Sequence, residues 1–226
     1  MYTISHPYKS VSEINLAMAR VYQNMSLAVL TSMIVSYLVG TSPELLQFFF
    51  TGITKWVVMF LPLVAVFGVT IAMNARPDRN IALLLLHGFA AIMGLSFATI
   101  FAVFQMGSIV SAFMGAAILF GVMSVYGYFT KSDLNSMGKF MFVGLIAIII
   151  ASIVNIFIGS SVFAMVISAL AIIIFLGLTA YDTQNIREIV QRSTSDHVEE
   201  VQGALTLYLN FINIFLSLLQ LFGDRK

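Results

Sequence analysis

Phe140–Tyr181 reads FMFVGLIAIIIASIVNIFIGSSVFAMVISALAIIIFLGLTAY, 42 residues without a charged side chain. A helix needs about 20 mostly apolar residues to cross a bilayer. The stretch therefore holds two spans, Phe140–Ile158 and Val162–Tyr181, folded back on each other at Gly159–Ser161. Neither run shows the alternation of a membrane β-strand. Working outward, five more apolar stretches of spanning length lie at Val21–Val39, Val57–Ala75, Ile81–Phe104, Ile109–Phe129 and Ala204–Phe222. The link Gln105–Ser108 is short enough to make the third and fourth spans another antiparallel hairpin. The first two spans form a third hairpin across Gly40–Trp56, where Pro43 marks a turn. The predicted fold is all-α and integral to the membrane, a seven-transmembrane helix bundle forming one domain over residues 1–226 with a short tail at 1–20.

Composition points the same way. The chain has 226 residues, with 11 basic and 10 acidic side chains, and 60% of it is hydrophobic. Its mean hydropathy is +0.99. A soluble domain carries about 25% charged residues, and a chain this poor in charge can neither cover a wet surface nor remain disordered. The absence of cysteine excludes disulfides, thiolate catalysis and cysteine-bound zinc. A net charge of +1 provides no field for nucleic acid. Met1–Arg20 is polar and lacks the apolar core of a cleavable signal, so the first span is expected to target the chain and stay in place.

Basic residues in the loops orient the bundle. Segments on the N-terminal side hold Lys9, Arg20, Arg76, Arg79, Lys131, Lys139, Arg187 and Arg192, while the opposite links hold only Lys55. The N-terminus is therefore expected in the cytoplasm. Arg225 and Lys226 lie outside if the last span crosses, and inside if it is re-entrant.

Polar side chains inside hydrocarbon must be satisfied by protein or water, so each is a candidate site. In the last span Thr206, Asn210, Asn213, Ser217 and Gln220 follow spacings of 4, 3, 4 and 3 and fall within about 80° of one another. This stripe predicts a central helix facing other helices or a wet cavity; interhelical bonding without transport is the plainer alternative. Asp182 closes the sixth span and Arg76 the second, on the same side, which predicts an Arg76–Asp182 pair. Arg79 and Arg187 are alternative partners, and a carboxylate resting among headgroups is the simpler reading. His87, at a depth like that of Asn210, is either a hydrogen-bonded packing residue or a titrating group beside the stripe. Asn155 is expected to cap its helix or bond backbone, and Asp196–Glu200, with three carboxylates, to form a solvated loop face. Helix contacts are expected through small residues, Ser111, Gly115 and Gly121 in the fourth span and Ala147 and Ala151 in the fifth. No metalloprotease, phosphate-loop or serine-hydrolase motif occurs. Tyr181–Asp182 lacks the second carboxylate that aspartyl proteolysis requires. Neither an enzyme nor a cofactor is expected.

The segment Tyr181-Asp182-Thr183-Gln184 and the run GALTLYLNFINIFL from Gly203 to Leu216 resemble the signature of the Bax inhibitor family, which has YccA-type bacterial members. The similarity is specific over residues 176–223. It implies six helices around a central C-terminal helix in a bacterial inner membrane, and a pH-sensitive calcium leak. For some bacterial members it also implies binding to and restraint of an FtsH-type AAA protease. In the family, two aspartates on the sixth and seventh helices share protons, and an arginine ending the second latches to them. Asp182 matches the first aspartate and Arg76 the latch, but Asn210 stands where the second aspartate is usual. Two close carboxylates cannot easily both ionise; an Asp–Asn pair lacks that coupling, so acid gating is expected to shift or vanish, with His87 supplying part of the lost titration. Two classes of function follow. One is a calcium leak using Asp182, Asn210, Arg76, His87 and Asn213, with Asp182 as the metal contact and calcium as the transported ion. The other is a regulatory partner of the protease complex without transport, with Met1–Arg20 as a handle.

Overall fold

The computed structural model describes residues 9–192 and 197–226, apart from the side chain of His197. Nine helices lie among them: α1 Val11–Gly40, α2 Pro43–Phe50, α3 Thr54–Asn74, α4 Arg79–Phe97, α5 Thr99–Val103, α6 Met106–Phe129, α7 Asn135–Ile158, α8 Ser161–Arg192 and α9 His197–Phe222. Seven stretches are long and apolar enough to cross a membrane: α1, α3, the α4–α5 run, α6, α7, α8 and α9. They coincide with the seven predicted spans, and the fold is an all-α membrane bundle.

The differences lie at the ends, where helices outrun their apolar cores. α1 starts ten residues before its apolar stretch, because Ser10 accepts from the Glu13 N–H while the Glu13 side chain takes the Ser10 N–H, forming a capping box. The expected tail 1–20 is thus helical from Val11, and Met1–Tyr8 lies outside the described residues. Pro43 does not make a turn. It opens α2 behind a Ser42 cap, where its missing N–H would have no helical partner anyway. Pro62 lies inside an uninterrupted α3. α8 continues eleven residues past Tyr181 to Arg192. The run Asp196–Glu200 is not a solvated loop: Glu199 and Glu200 stand in the first turn of α9, and Glu200 is buried. Asp196 lies outside the described residues.

The chain divides into two compact units, Met1–Val103 with Ile186–Tyr208, and Phe104–Asn185 with Leu209–Lys226. In the first unit, α1 packs against α4, with α3 also on α4. Ser32 sits against Gly94 closely enough that a Cβ there would strike the Ser32 backbone. Buried Ser32 and Tyr208 share a hydrogen bond of 2.6 Å, and Ser32 donates onward to the Ala90 carbonyl at 2.7 Å.

In the second unit the tight approaches differ from those expected. Gly127 meets the Ala180 backbone, Gly138 the Tyr181 ring and Gly177 the Met141 side chain. Gly121 has open space around its Cβ position and Ala147 is exposed, whereas Gly115 makes ordinary contact with Leu218. An aromatic cluster joins α6 to α9, with Phe113 edge-on to Phe211 and Phe215 at 5.4 and 6.2 Å and Phe120 edge-on to Phe211 at 5.8 Å. Half of the apolar window of α9 is buried, against 6% for α7, which marks α9 as an interior helix.

Candidate functional site

Four consecutive residues of α8 reach four different partners within the second unit. Successive residues on a helix turn by about 100°, so Tyr181, Asp182, Thr183 and Gln184 point in four directions. The Tyr181 ring fills the space beside Gly138. Asp182 Oδ2 accepts from Asn210 Nδ2 at 2.7 Å. Fully buried Thr183 shares a hydrogen bond with Ser124 of α6 at 3.1 Å. The Gln184 amide accepts from the Leu134 N–H and donates to the Ser132 carbonyl, both at 2.9 Å. Three of these four contacts are polar, and the hydrogen bond to Asn210 holds the Asp182 carboxylate toward α9.

On α9 the predicted stripe divides. Asn210 is buried, Thr206, Asn213 and Ser217 are half-buried, and Gln220 is exposed. Thr206 and Asn213 bond back to the carbonyls of Gln202 and Leu209, one turn earlier in their own helix. Of Thr206, Asn213 and Asn210, Asn210 carries its polarity to another helix. Asn155, expected to bond backbone through its side chain, does not; its backbone carbonyl accepts from Gly159, while its buried Oδ1 has no partner among the described residues. No group of three His, Asp or Glu side chains able to hold a metal ion occurs among the described residues. A cation meeting Asp182 would keep most of its water.

The other candidates belong to the first unit. The Arg76 guanidinium lies 3.8 Å from Glu199 and is largely exposed, and its backbone is left-handed at φ 50°. His87 Nδ1 shares a 2.9 Å hydrogen bond with the Thr31 hydroxyl. Sequence reasoning missed a close charge contact in this unit. Arg20 Nε lies 2.9 Å from Glu200 Oε2, and the Glu200 side chain retains only 4% of its exposure. Beside this pair the Gln202 amide donates to the Met73 carbonyl at the end of α3 at 3.1 Å. Arg20 and Glu200 bordered apolar runs in sequence. The available signal was helical continuation: Ser10–Glu13 as a capping box carries α1 past Arg20.

Comparison with known proteins agrees with this architecture. The family described as "Inhibitor of apoptosis-promoting Bax1" matches residues 14–226. The inner membrane protein YbhL of Escherichia coli K12 is 36% identical over 214 residues, covering 92% of each chain. An uncharacterized protein of Borreliella burgdorferi is 37% identical over 220 residues, covering 94% of this chain and 93% of its own. One from Deinococcus radiodurans is 34% identical over 220 residues, covering 96% and 94%. The match over nearly the whole length, on a fold of seven spanning helices, places this chain in the Bax inhibitor family.

Proposed function

We propose that the protein is a multi-pass protein of a bacterial inner membrane, with its N-terminus in the cytoplasm, that lets calcium leak across the bilayer under the influence of pH. The observation that supports this reading is the Asp182–Asn210 pair, 2.7 Å apart, with Asn210 buried. A carboxylate at the end of an apolar span is expensive unless it serves a polar path or is neutralised. Its hydrogen-bond partner here is a neutral amide, so Asp182 keeps a net charge that can meet a cation whenever it is ionised. Asn213, one turn along α9, would be the next polar contact on the path. In this reading Arg76 is the charge that latches the closed state, and His87 contributes part of the response to pH.

Calcium flux into vesicles reconstituted with the full chain tests the reading. Wild type should pass calcium, Asp182→Asn should lose most of the flux, and Asn210→Asp should change its dependence on pH. Absence of flux at every pH would overturn the leak and turn attention to regulation of an FtsH-type protease, which co-purification and substrate lifetime would measure.

A further inference from the structure

Beyond the C-terminal end of α9 the second unit forms an open-mouthed cavity of about 500 Å³ lined by residues that include Gln105, Ser108, Ser111, Gly115, Leu218 and Asp224. The lining has one carboxylate, two hydroxyls and one amide, and no basic side chain. At about 30 Å³ per molecule of liquid water, the volume holds roughly fifteen waters, enough for a hydrated ion. Asn210 lies twelve residues before Phe222, the last residue of α9, which is about 18 Å of helical rise. The cavity and the Asp182–Asn210 pair are thus separated by more than half of a hydrocarbon layer about 30 Å thick, with Phe211 and Phe215 of the aromatic cluster between them along α9.

A short strap crosses the rim of this cavity. Gln105 N–H donates to the Asp224 carbonyl and the Asp224 N–H donates to Ser108 Oγ, both at 3.0 Å. Phe104 and Arg225 form an isolated antiparallel bridge, and the Arg225 guanidinium lies 5.8 Å from the centre of the Phe104 ring. Gly223 makes the turn into the strap. A Cβ there would strike the Leu219 carbonyl and come within 2.8 Å of the Phe104 ring. Residues 224–226 of the strap are exposed, a condition that favours local opening at small cost.

We infer that this cavity is a vestibule for hydrated metal cations, with Asp224 as its charge and Ser108, Ser111 and Gln105 as its neutral oxygen lining, and that the strap Gly223–Arg225 covers it. Hard divalent cations take oxygen ligands and tolerate water in their shell. A single carboxylate among neutral oxygens attracts such an ion without trapping it. The inference rests on the leak reading for its purpose and on the cavity and strap for its geometry, and the test separates the two.

The chain has no cysteine, so Ser111→Cys introduces a unique thiol in the lining. Full-length protein in phosphatidylcholine vesicles is treated with cationic and anionic methanethiosulfonate reagents of equal size, beside Ser160→Cys as a control outside the cavity. The cationic reagent should react at least tenfold faster at Ser111→Cys. Asp224→Asn should erase that preference while leaving the control unchanged. Gly223→Val, which prevents the strap from seating, should raise both rates severalfold. Equal rates for the two reagents in the parent would overturn the vestibule, and rates indifferent to Gly223→Val would overturn the strap as its cover. A charge preference at Ser111→Cys in vesicles that pass no calcium would uphold the vestibule and remove the leak reading. Undiminished flux without charge preference would remove the vestibule alone.

Discussion

Asn210 donates its amide proton to Asp182 across 2.7 Å, joining α9 to α8 by a bond between a neutral group and a carboxylate. This is a different electrostatic object from two carboxylates at the same spacing, because nothing in it forces a shared proton. Asn210→Asp should therefore impose a coupled titration on the pair. Calcium flux in vesicles should then depend on pH differently from wild type, following the pair's two titration steps instead of one. Asn210→Leu removes the donor without adding charge and leaves the half-buried carboxylate short of a partner, which costs about 1–3 kcal/mol. Thermal unfolding in detergent should show that loss, while Asn210→Asp at low pH should show less of it.

The pair Arg20–Glu200 should matter more to stability than any other charge contact in the first unit. Glu200 retains 4% of its side-chain exposure and lies 2.9 Å from Arg20. Removing one partner of a buried pair leaves a charge desolvated and costs about 3–5 kcal/mol. Because Arg20 is itself 30% exposed, Arg20→Ala should fall at the lower end, near about 3 kcal/mol. Glu200→Gln should cost less, since it removes the buried charge together with the ion pair. A chemical-denaturation series comparing these two variants checks the order, and a larger loss in Glu200→Gln would contradict it.

Arg76 provides the contrast. Its guanidinium is 71% exposed and 3.8 Å from Glu199, a geometry worth less than about 1 kcal/mol. Its left-handed backbone, φ 50°, strains a non-glycine residue by about 1–2 kcal/mol. Arg76→Gly loses the contact but relieves the strain, so stability should be nearly unchanged or slightly raised. Arg76→Ala should be the less stable of the two. A change of flux shared by both variants, set against their different stabilities, would assign Arg76 to the closed state through its charge alone.

The spans were legible in sequence because the membrane requires an unbroken apolar run, and Phe140–Tyr181 supplies two with only Gly159–Ser161 between them. The ends were not legible, because hydropathy marks the depth of hydrocarbon and not the length of a helix. α1 and α8 both continue through polar turns where capping and burial against protein take over. The same limit hid Arg20 and Glu200, each a charge beside an apolar run whose partner lies 180 residues away. Asp182 and Asn210 were legible because polarity is rare at those positions. The stripe around Asn210 overstated its neighbours, since a hydroxyl or amide can satisfy itself on its own helix, as Thr206 and Asn213 do.

Asp182 and His87 both stand among the proposed gating residues, in different surroundings. The His87 ring is half-buried and tied to Thr31, while Asp182 is tied to Asn210. Under the leak reading, His87→Ala should alter the pH profile of flux without lowering the maximum. Asp182→Asn should lower the maximum itself. Profiles measured from pH 5 to 9 distinguish these outcomes, and an unaltered profile in His87→Ala would reduce that residue to packing.

The aromatic cluster between α6 and α9 should act as the barrier on any path along α9. Phe211 meets Phe113 and Phe120 edge-on at 5.4 and 5.8 Å, immediately after Asn210. Apolar constrictions stop ions by excluding water, and large-to-small substitutions in a packed cluster open a cavity at a cost of about 3–5 kcal/mol. Phe113→Ala should therefore lower thermal stability and raise calcium flux together, whereas Phe113→Leu should keep most of the volume and leave both close to wild type. Stability and leak can be dissociated with a control in the first unit. Phe89, edge-on to Tyr208 at 6.0 Å and fully buried, should destabilise comparably as Phe89→Ala. Equal rises of flux in Phe89→Ala and Phe113→Ala would mean that loss of packing anywhere makes the protein leak. A rise of severalfold confined to Phe113→Ala would locate the barrier at the α6–α9 rings.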